Sequence, residues 1–278
     1  MKIDFHVHIT PPDIIAGWEK YAQKEPYFSL LSRSKVNRFA TAESAVETLR
    51  QNGFDRAVVF GFAFRDIGLC RYVNDYVIEK AAQFPDNLTG FAVVPPDMET
   101  AAEIERCHNA GLKGVGELFP GGQGISLDDE KQTRSITGVC AERDIPLLLH
   151  CNEPVGRLYA GKTGAMFEQF EKFIHANPGL KIILAHWGGG IFIYETMREI
   201  NESFRNVWYD TAAAPFLYDE RIYRAAKALG LSEKILFGSD FPVLPPSRYM
   251  DGLEKSGLCE EDKQLILGEN ARKLLGIN

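Results

Sequence analysis

Two hydrophobic rhythms alternate along the chain. In residues 2–8, Ile3, Phe5 and Val7 alternate with Asp4, His6 and His8, so a strand there has one apolar face and one face of carboxylate and imidazoles. From residue 41 the rhythm becomes helical. Thr41 is placed to cap a helix running to Gly53, with Ala42, Ala45, Val46 and Leu49 at helical spacing. The stretch 56–61 then reads as a strand buried on both faces. The pair repeats: helices are predicted over 68–83, 97–110, 128–143, 163–176, 190–204 and 219–229. Strands alternate with them over 88–94, 113–117, 146–150, 182–186, 207–210 and 235–238, before C-terminal helices. Eight strands, each after the first preceded by a helical segment, predict an α/β fold, a parallel (β/α)8 TIM barrel, as one domain over 1–278. A doubly wound open sheet is the rival. It wants fewer strands and a G-x-G-x-x-G after the first, which the sequence lacks. The connection 9–40 is too long for a plain loop and carries Trp18, Tyr21, Tyr27 and Phe28. It is expected as a lid insertion over one end of the fold, its aromatics either covering that end or forming a satellite core.

Composition narrows the setting. With 45% hydrophobic and 25% charged residues the chain is expected to be globular rather than disordered. A formal net charge of −7 disfavours broad attraction to nucleic acid or anionic membrane and favours a small-molecule substrate. Five cysteines, at 70, 107, 140, 151 and 259, include no C-x-x-C, so neither a disulfide framework nor a thiolate metal site is indicated. Asp4 and His6 stand where a signal peptide needs an apolar run, and no apolar stretch is long enough to span a membrane. A cytoplasmic protein is the expectation.

In a closed barrel the C-terminal ends of all strands meet at one mouth. The pattern places there His6 and His8 on the first strand, Glu117 on the fourth, His150 on the fifth, His186 on the sixth and Asp240 just after the eighth. Four of the six histidines thus converge; His108 and His175 fall near helix C-termini, where an imidazole suits the helix dipole. A lone His-x-His is more often a hydrogen-bonded pair than a metal site, and a lone Asp in Gly-Ser-Asp-Phe-Pro more often a turn residue. Together the set predicts a divalent metal, zinc for preference, because zinc takes about four such ligands and lowers the pKa of its water to roughly 7. Asp240 is then the candidate to take a proton from that water, and His186 to donate to an oxyanion or leaving group. Spacing does not decide between one ion and two. Gly188-Gly189-Gly190 either cradles an anion or lets the loop pass close to the site, the latter being favoured. Arg65, Arg157 and Arg248 lie in mouth-side loops where a substrate carboxylate could be met, although each is individually more often a surface charge. Arg65, with Trp187 after His186, is the substrate-binding candidate. Cys151 neighbours His150 along a strand, so it points away and is discounted as a nucleophile.

Asp4-Phe5-His6-Val7-His8, His150 closing Leu147-Leu148-Leu149, His186 followed by Trp187-Gly188-Gly189-Gly190, Phe237-Gly238-Ser239-Asp240-Phe241-Pro242 and the tail Gly268-Glu269-Asn270-Ala271-Arg272-Lys273-Leu274-Leu275-Gly276 carry a resemblance. From end to end the chain resembles the amidohydrolase superfamily, within it the amidohydrolase-related group that includes aminocarboxymuconate-semialdehyde decarboxylase. The resemblance implies that His6, His8, His150 and Asp240 hold one divalent metal, with His186 beside the metal-bound water. Gly114-Val115-Gly116-Glu117 is similar instead to TatD-type nucleases, where a fourth-strand carboxylate bridges two metals and the fifth- and sixth-strand histidines bind the second. On that pattern Glu117 and His186 are ligands as well. Relatives in the decarboxylase group are often dimers, which makes a homodimer a candidate assembly. The function expected is a metal-dependent hydrolase acting through metal-bound hydroxide on an amide, lactone or similar carbonyl bond. The alternative is a lyase, a non-oxidative decarboxylase of an unsaturated or aromatic acid. A metal-binding barrel without turnover is the reading from another class.

Overall fold

The computed structural model describes residues 1–163 and 167–277, and its strands follow the predicted order. They are β1 (Ile3–His8), β2 (Arg56–Phe60), β3 (Leu88–Gly90), β4 (Val115–Leu118), β5 (Leu147–Leu149), β6 (Ile182–Leu184), β7 (Val207–Asp210) and β8 (Ile235–Leu236). Parallel ladders join β1 to β3 in one run and β4 to β8 in another. Backbone hydrogen bonds bridge both seams. Lys113 N donates to Gly90 O (2.8 Å), Ala92 N to Gly114 O (2.9 Å) and Gly116 N to Ala92 O (2.7 Å). On the other side Phe5 N donates to Phe237 O (2.7 Å), Asp240 N to His6 O (3.0 Å) and His8 N to Phe241 O (2.7 Å). These bonds close the strands into a TIM barrel.

The helices form where the apolar stripe, cap and stop agree. Thr41 Oγ1 accepts from Ser44 N at the start of Ala42–Asn52, Ala42, Ala45 and Leu49 are buried, and Gly53 ends the helix at φ 68°. Ile67–Gln83, Thr100–Asn109, Glu130–Glu142 and Arg221–Ala228 lie within or close to their predicted ranges. Of the helix predicted over 163–176, Phe167–Ala176 forms, while 164–166 lie outside the described residues. The helix predicted over 190–204 is a correction. Only Arg198–Ser203 is α-helical, and His186 to Gly190 all take positive φ, a left-handed path that no α-helix continues. Gly189 needs this: a Cβ there would stand 2.3 Å from Asn152 O, so the glycine run serves close passage of the loop.

Strands such as Leu147–Leu149 and Ile182–Leu184 are buried throughout, as sheets covered on both faces require. The connection 9–40 carries three short helices, Pro12–Ala16, Trp18–Ala22 and Pro26–Ser32. Tyr27 and Phe28 are buried within it, and Tyr27 OH donates to Gly161 O (3.0 Å) across the mouth. Among the described residues no helix is long and apolar enough to cross a membrane.

Candidate metal centre

The alternation of β1 brings His6 and His8 to the inner face, and Asp240 arrives beside them from the segment after β8. Asp240 takes φ 60°, a conformation that a short polar residue tolerates. It is anchored by its own N–H on His6 O and by the residue before it. Asp4, the third inward residue of β1, accepts from Ser239 N (2.8 Å) and Ser239 Oγ (2.5 Å). Burial pushes the Asp4 carboxyl up to about 7, against the pull of those two hydrogen bonds.

Glu117 stands between two groups of donors. Its Oε2 lies 3.4 Å from His6 Nε2 and 3.5 Å from His8 Nε2. Its Oε1 lies 2.9 Å from His150 Nδ1 and 3.4 Å from His186 Nε2. Around the first oxygen, the His6 and His8 Nε2 atoms are 3.3 Å apart, and Asp240 Oδ1 is 3.6 Å and 3.4 Å from them. Four ligands about 2.0–2.1 Å from a tetrahedral centre stand roughly 3.3–3.4 Å from one another. The spacing of His6, His8 and Asp240 therefore fits a divalent cation, and Glu117 Oε2 stands at a like distance from both imidazoles. The second group, Glu117, His150 and His186, is also compact enough to hold one.

Charge balance follows the same geometry. Burial opposes ionisation of Glu117, but the charges of His6 and His150 and hydrogen bonds from His150 and His186 hold its carboxyl well below the usual range. Asp240 is likewise lowered against burial, by the His8 hydrogen bond and the nearby imidazoles. Burial pushes His186 down, yet the hydrogen bond and charge of Glu117, then the charge of Asp240, prevail and raise it to about 9.

Two orienting residues escape the sequence reading. Asp210, fully buried at the end of β7, accepts from His6 Nδ1 (2.8 Å) through one oxygen and from His186 N (3.0 Å) and Ala212 N (2.9 Å) through the other. This fixes the His6 proton on Nδ1 and turns the Nε2 lone pair to the cluster. Its position at a strand end was the available signal. Asn152 is the other: its Oδ1 accepts from Thr163 N (2.8 Å), so its Nδ2 faces His150 Nε2 (2.9 Å) and His150 turns Nδ1 to Glu117. Asp210→Asn puts an amide N–H against His6 Nδ1 and moves the imidazole proton to Nε2. The expected result is a 10–100-fold loss of metal affinity with the fold intact, read by competition against a chromogenic chelator. Unchanged affinity removes Asp210 from the centre.

The two substrate-binding candidates, Arg65 and Trp187, lie outside the described lining of the cavity over the centre. Trp187 is fully buried, its ring 5.2 Å from Tyr223 and 5.7 Å from Phe192, because the left-handed turn at 186–190 carries it into the core. Arg65 is exposed; its Nε donates to Gly122 O (3.0 Å), and it is not among the described residues lining the cavity over the centre. Arg157 lines that cavity, whereas Arg248 lies in the helix Ser247–Lys255. Cys151 is buried, and burial pushes its thiol far up, which agrees with discounting it. His108 and His175 sit in last helical turns, as expected.

The cavity over the centre encloses about 850 Å³, with His8, Glu117, His150, His186 and Asp240 at its floor. Phe119 lies 4.9 Å from the His150 ring, Phe62 stacks on Phe119 at 5.3 Å, and Tyr27 stands 5.2 Å from Phe119. Phe119 follows β4 directly and Phe62 stands two residues past β2, and neither was singled out by sequence. Tyr218 also lines the cavity, and its buried OH finds no hydrogen-bond partner among the described residues.

With this geometry in view, comparison with known proteins decides the family: the amidohydrolase profile matches residues 3–277. The chain belongs to the amidohydrolase family. This amidohydrolase is 27% identical over 257 residues to a gamma-resorcylate decarboxylase of Rhizobium sp. (strain MTP-10005), covering 76% of this chain and 77% of the relative. Its fold matches a crystal structure of 2,6-dihydroxybenzoate decarboxylase complexed with 2,6-dihydroxybenzoate, at TM-score 0.75, 19% identity and 99% coverage of both chains. It also matches 5-carboxyvanillate decarboxylase of Novosphingobium aromaticivorans, complexed with manganese and 4-hydroxy-3-methoxy-5-nitrobenzoic acid, at TM-score 0.78 and 16% identity, covering 100% of this chain and 96% of the other. The amidohydrolase described here is thus a metal-dependent enzyme of that superfamily, with a centre suited to a divalent cation.

Proposed function

We propose that the protein is a non-oxidative decarboxylase of an aromatic carboxylic acid, with a divalent cation held by His6, His8, Glu117 and Asp240. The observation that carries this reading is the cavity, whose floor is the donor cluster and whose inner walls are the rings of Tyr27, Phe62 and Phe119. Such a slot suits a planar ring with its acid group against the donors. The curated decarboxylase relatives support the same direction, so the hydrolase expected from sequence gives way to its lyase alternative. Imidazole and carboxylate donors serve manganese as well as zinc, and manganese is the ion in the carboxyvanillate relative. In this reading Glu117 takes the fourth place that the resemblance gave to His150, and its approach to His6 and His8 at 3.4 and 3.5 Å supports that choice.

A bound divalent cation supplies the fixed positive charge that holds the acid's oxygens. The chain's own residues do the rest. Phe119 and Tyr27, packed against each other at 5.2 Å, line one side of the ring. His186 donates its Nδ1–H to Ala212 O (3.0 Å), which turns Nε2 to the floor of the cavity. Nε2 stands 3.4 Å from Glu117 Oε1 at that floor, which makes His186 the proton donor of this reading. Nε2 gives its proton to the ring carbon bearing the carboxylate; the C–H bond forms, the C–C bond breaks, its electron pair returns to the ring and carbon dioxide leaves. An acid anion plus one proton thus becomes an arene plus carbon dioxide, and solvent restores the proton to His186.

The test supplies the purified chain with Mn²⁺ and either 2,6-dihydroxybenzoate or 5-carboxyvanillate, with aryl lactones in parallel. Carbon dioxide release without lactone opening is expected. Lactone hydrolysis with no carbon dioxide from either acid overturns the reading.

A further inference from the structure

The cavity is far larger than a single-ring acid needs. At about 850 Å³ it lies toward the top of the range for sites that enclose drug-sized ligands, roughly 300–1,000 Å³. Its surplus space is largely apolar, and an aromatic wall runs along it from the donor cluster. Phe62 contacts Phe28 at 5.0 Å, and Phe28 contacts Phe39 at 6.0 Å. Facing them are Phe167 and Tyr194, 6.1 Å apart, with Leu217 and Val243. Two of the charged groups on these walls, Glu153 and Arg38, are engaged by the protein itself, while Arg157 stands exposed at the edge of the cavity. Glu153 pairs with Lys162 (3.2 Å) and Tyr159 OH (3.0 Å), and Arg38 directs its Nη1 to the carbonyls of Lys35 and Asn37.

At the rim, Ile193 (54% exposed) and Phe216 (48% exposed) continue the same lining into solvent. Large apolar side chains on a surface call for an apolar occupant when they are contiguous with a pocket. Here the same cavity is lined by the metal donors at one end and by Ile193 and Phe216 at the other.

We infer that the outer chamber is a substrate subsite, and that the substrate is an aromatic acid carrying an apolar extension, an alkyl chain or second ring, opposite its carboxylate. The inference rests on the decarboxylase reading for the direction of the acid group. With the carboxylate at the floor, the ring position para to it points along the wall toward Phe39, Ile193 and Phe216. Burying each methylene of an extension there tightens binding by about fourfold.

The experiment measures binding by calorimetry and carbon dioxide release by a coupled assay on the Mn²⁺-loaded chain. The probes are 2,6-dihydroxybenzoate and its 4-methyl to 4-pentyl homologues. Affinity and kcat/KM are expected to rise about three- to fourfold per methylene over the first several members. In the double variant Ile193→Asp, Phe216→Asp the gain per methylene is expected to fall below about twofold, with the melting temperature retained because both side chains are half exposed. If affinity climbs with chain length while no acid releases carbon dioxide, the subsite stands and the decarboxylase reading fails. If 2,6-dihydroxybenzoate is turned over and its alkyl homologues bind no better, the subsite is overturned and the decarboxylase reading stands. A gain that persists undiminished in the double variant also overturns the placement of the subsite at this rim.

Discussion

Changing His186 to asparagine is expected to lower carbon dioxide release about a thousandfold while one divalent ion per chain stays bound; changing Asp240 to asparagine is expected to lose both. The contrast follows from the distances. Asp240 Oδ1 belongs to the set with His6 and His8 at 3.4–3.6 Å, the spacing of ligands around a common centre. His186 Nε2 stands instead at the cavity floor beside the far oxygen of Glu117 (3.4 Å) and His150 Nδ1 (3.0 Å). A group that moves a proton in the rate-limiting step contributes typically 10²–10⁴-fold, and asparagine has no proton to give. Metal content by elemental analysis, read beside kcat, separates the roles. A His186→Asn chain that loses an ion in proportion to its activity makes His186 a ligand, and the two-metal arrangement of the nuclease-like relatives then replaces the single centre.

The fold was legible because parallel strands and their helices write different periods into the chain, and the donors were legible because strand ends share one mouth. His6, His8, Glu117, His150, His186 and Asp240 could be gathered on that rule alone. Asp210 obeys the same rule but has no local signature: its partner, His6, lies 204 residues earlier, and only closure of the barrel brings the ring nitrogen to it. Arg65 failed for a related reason, since the carbonyl that takes up its guanidinium belongs to Gly122. Trp187 and the helix over 190–204 failed together. Apolar residues at 191 and 192 continue a helical pattern, but five consecutive positive φ values from 186 to 190 invert the path and bury the indole. The aromatic lining was hidden in a different way, because Phe62 and Phe119 look like ordinary core residues until the cavity they line together is seen beside them.

The other large effect belongs to Glu117, and it shows in the metal-free chain. There Glu117 is the buried anion among four imidazoles, and Glu117→Gln leaves those rings without the carboxylate that faces both groups. Removing one partner from a buried ion pair costs about 3–5 kcal/mol, which for a chain of this size lowers the melting temperature on the order of 10 °C. The pH dependence gives the loss its signature. His186 is raised above its ordinary 6.5 to about 9 chiefly by Glu117, after the opposing effect of burial. A histidine raised on folding contributes stability that is fully present below pH 6.5 and is lost as pH climbs through about 9. The chelator-treated native chain is therefore expected to lose melting temperature steadily between pH 6.5 and 9. Glu117→Gln, already low, is expected to fall much less, so the two profiles converge at the alkaline end. Saturating Mn²⁺ raises the native chain across this range and does little for the variant, since binding to the folded state alone stabilises it by mass action. Parallel melting profiles for the two chains would show that the imidazolium and Glu117 are not coupled, and the electrostatic account of the centre would have to be abandoned.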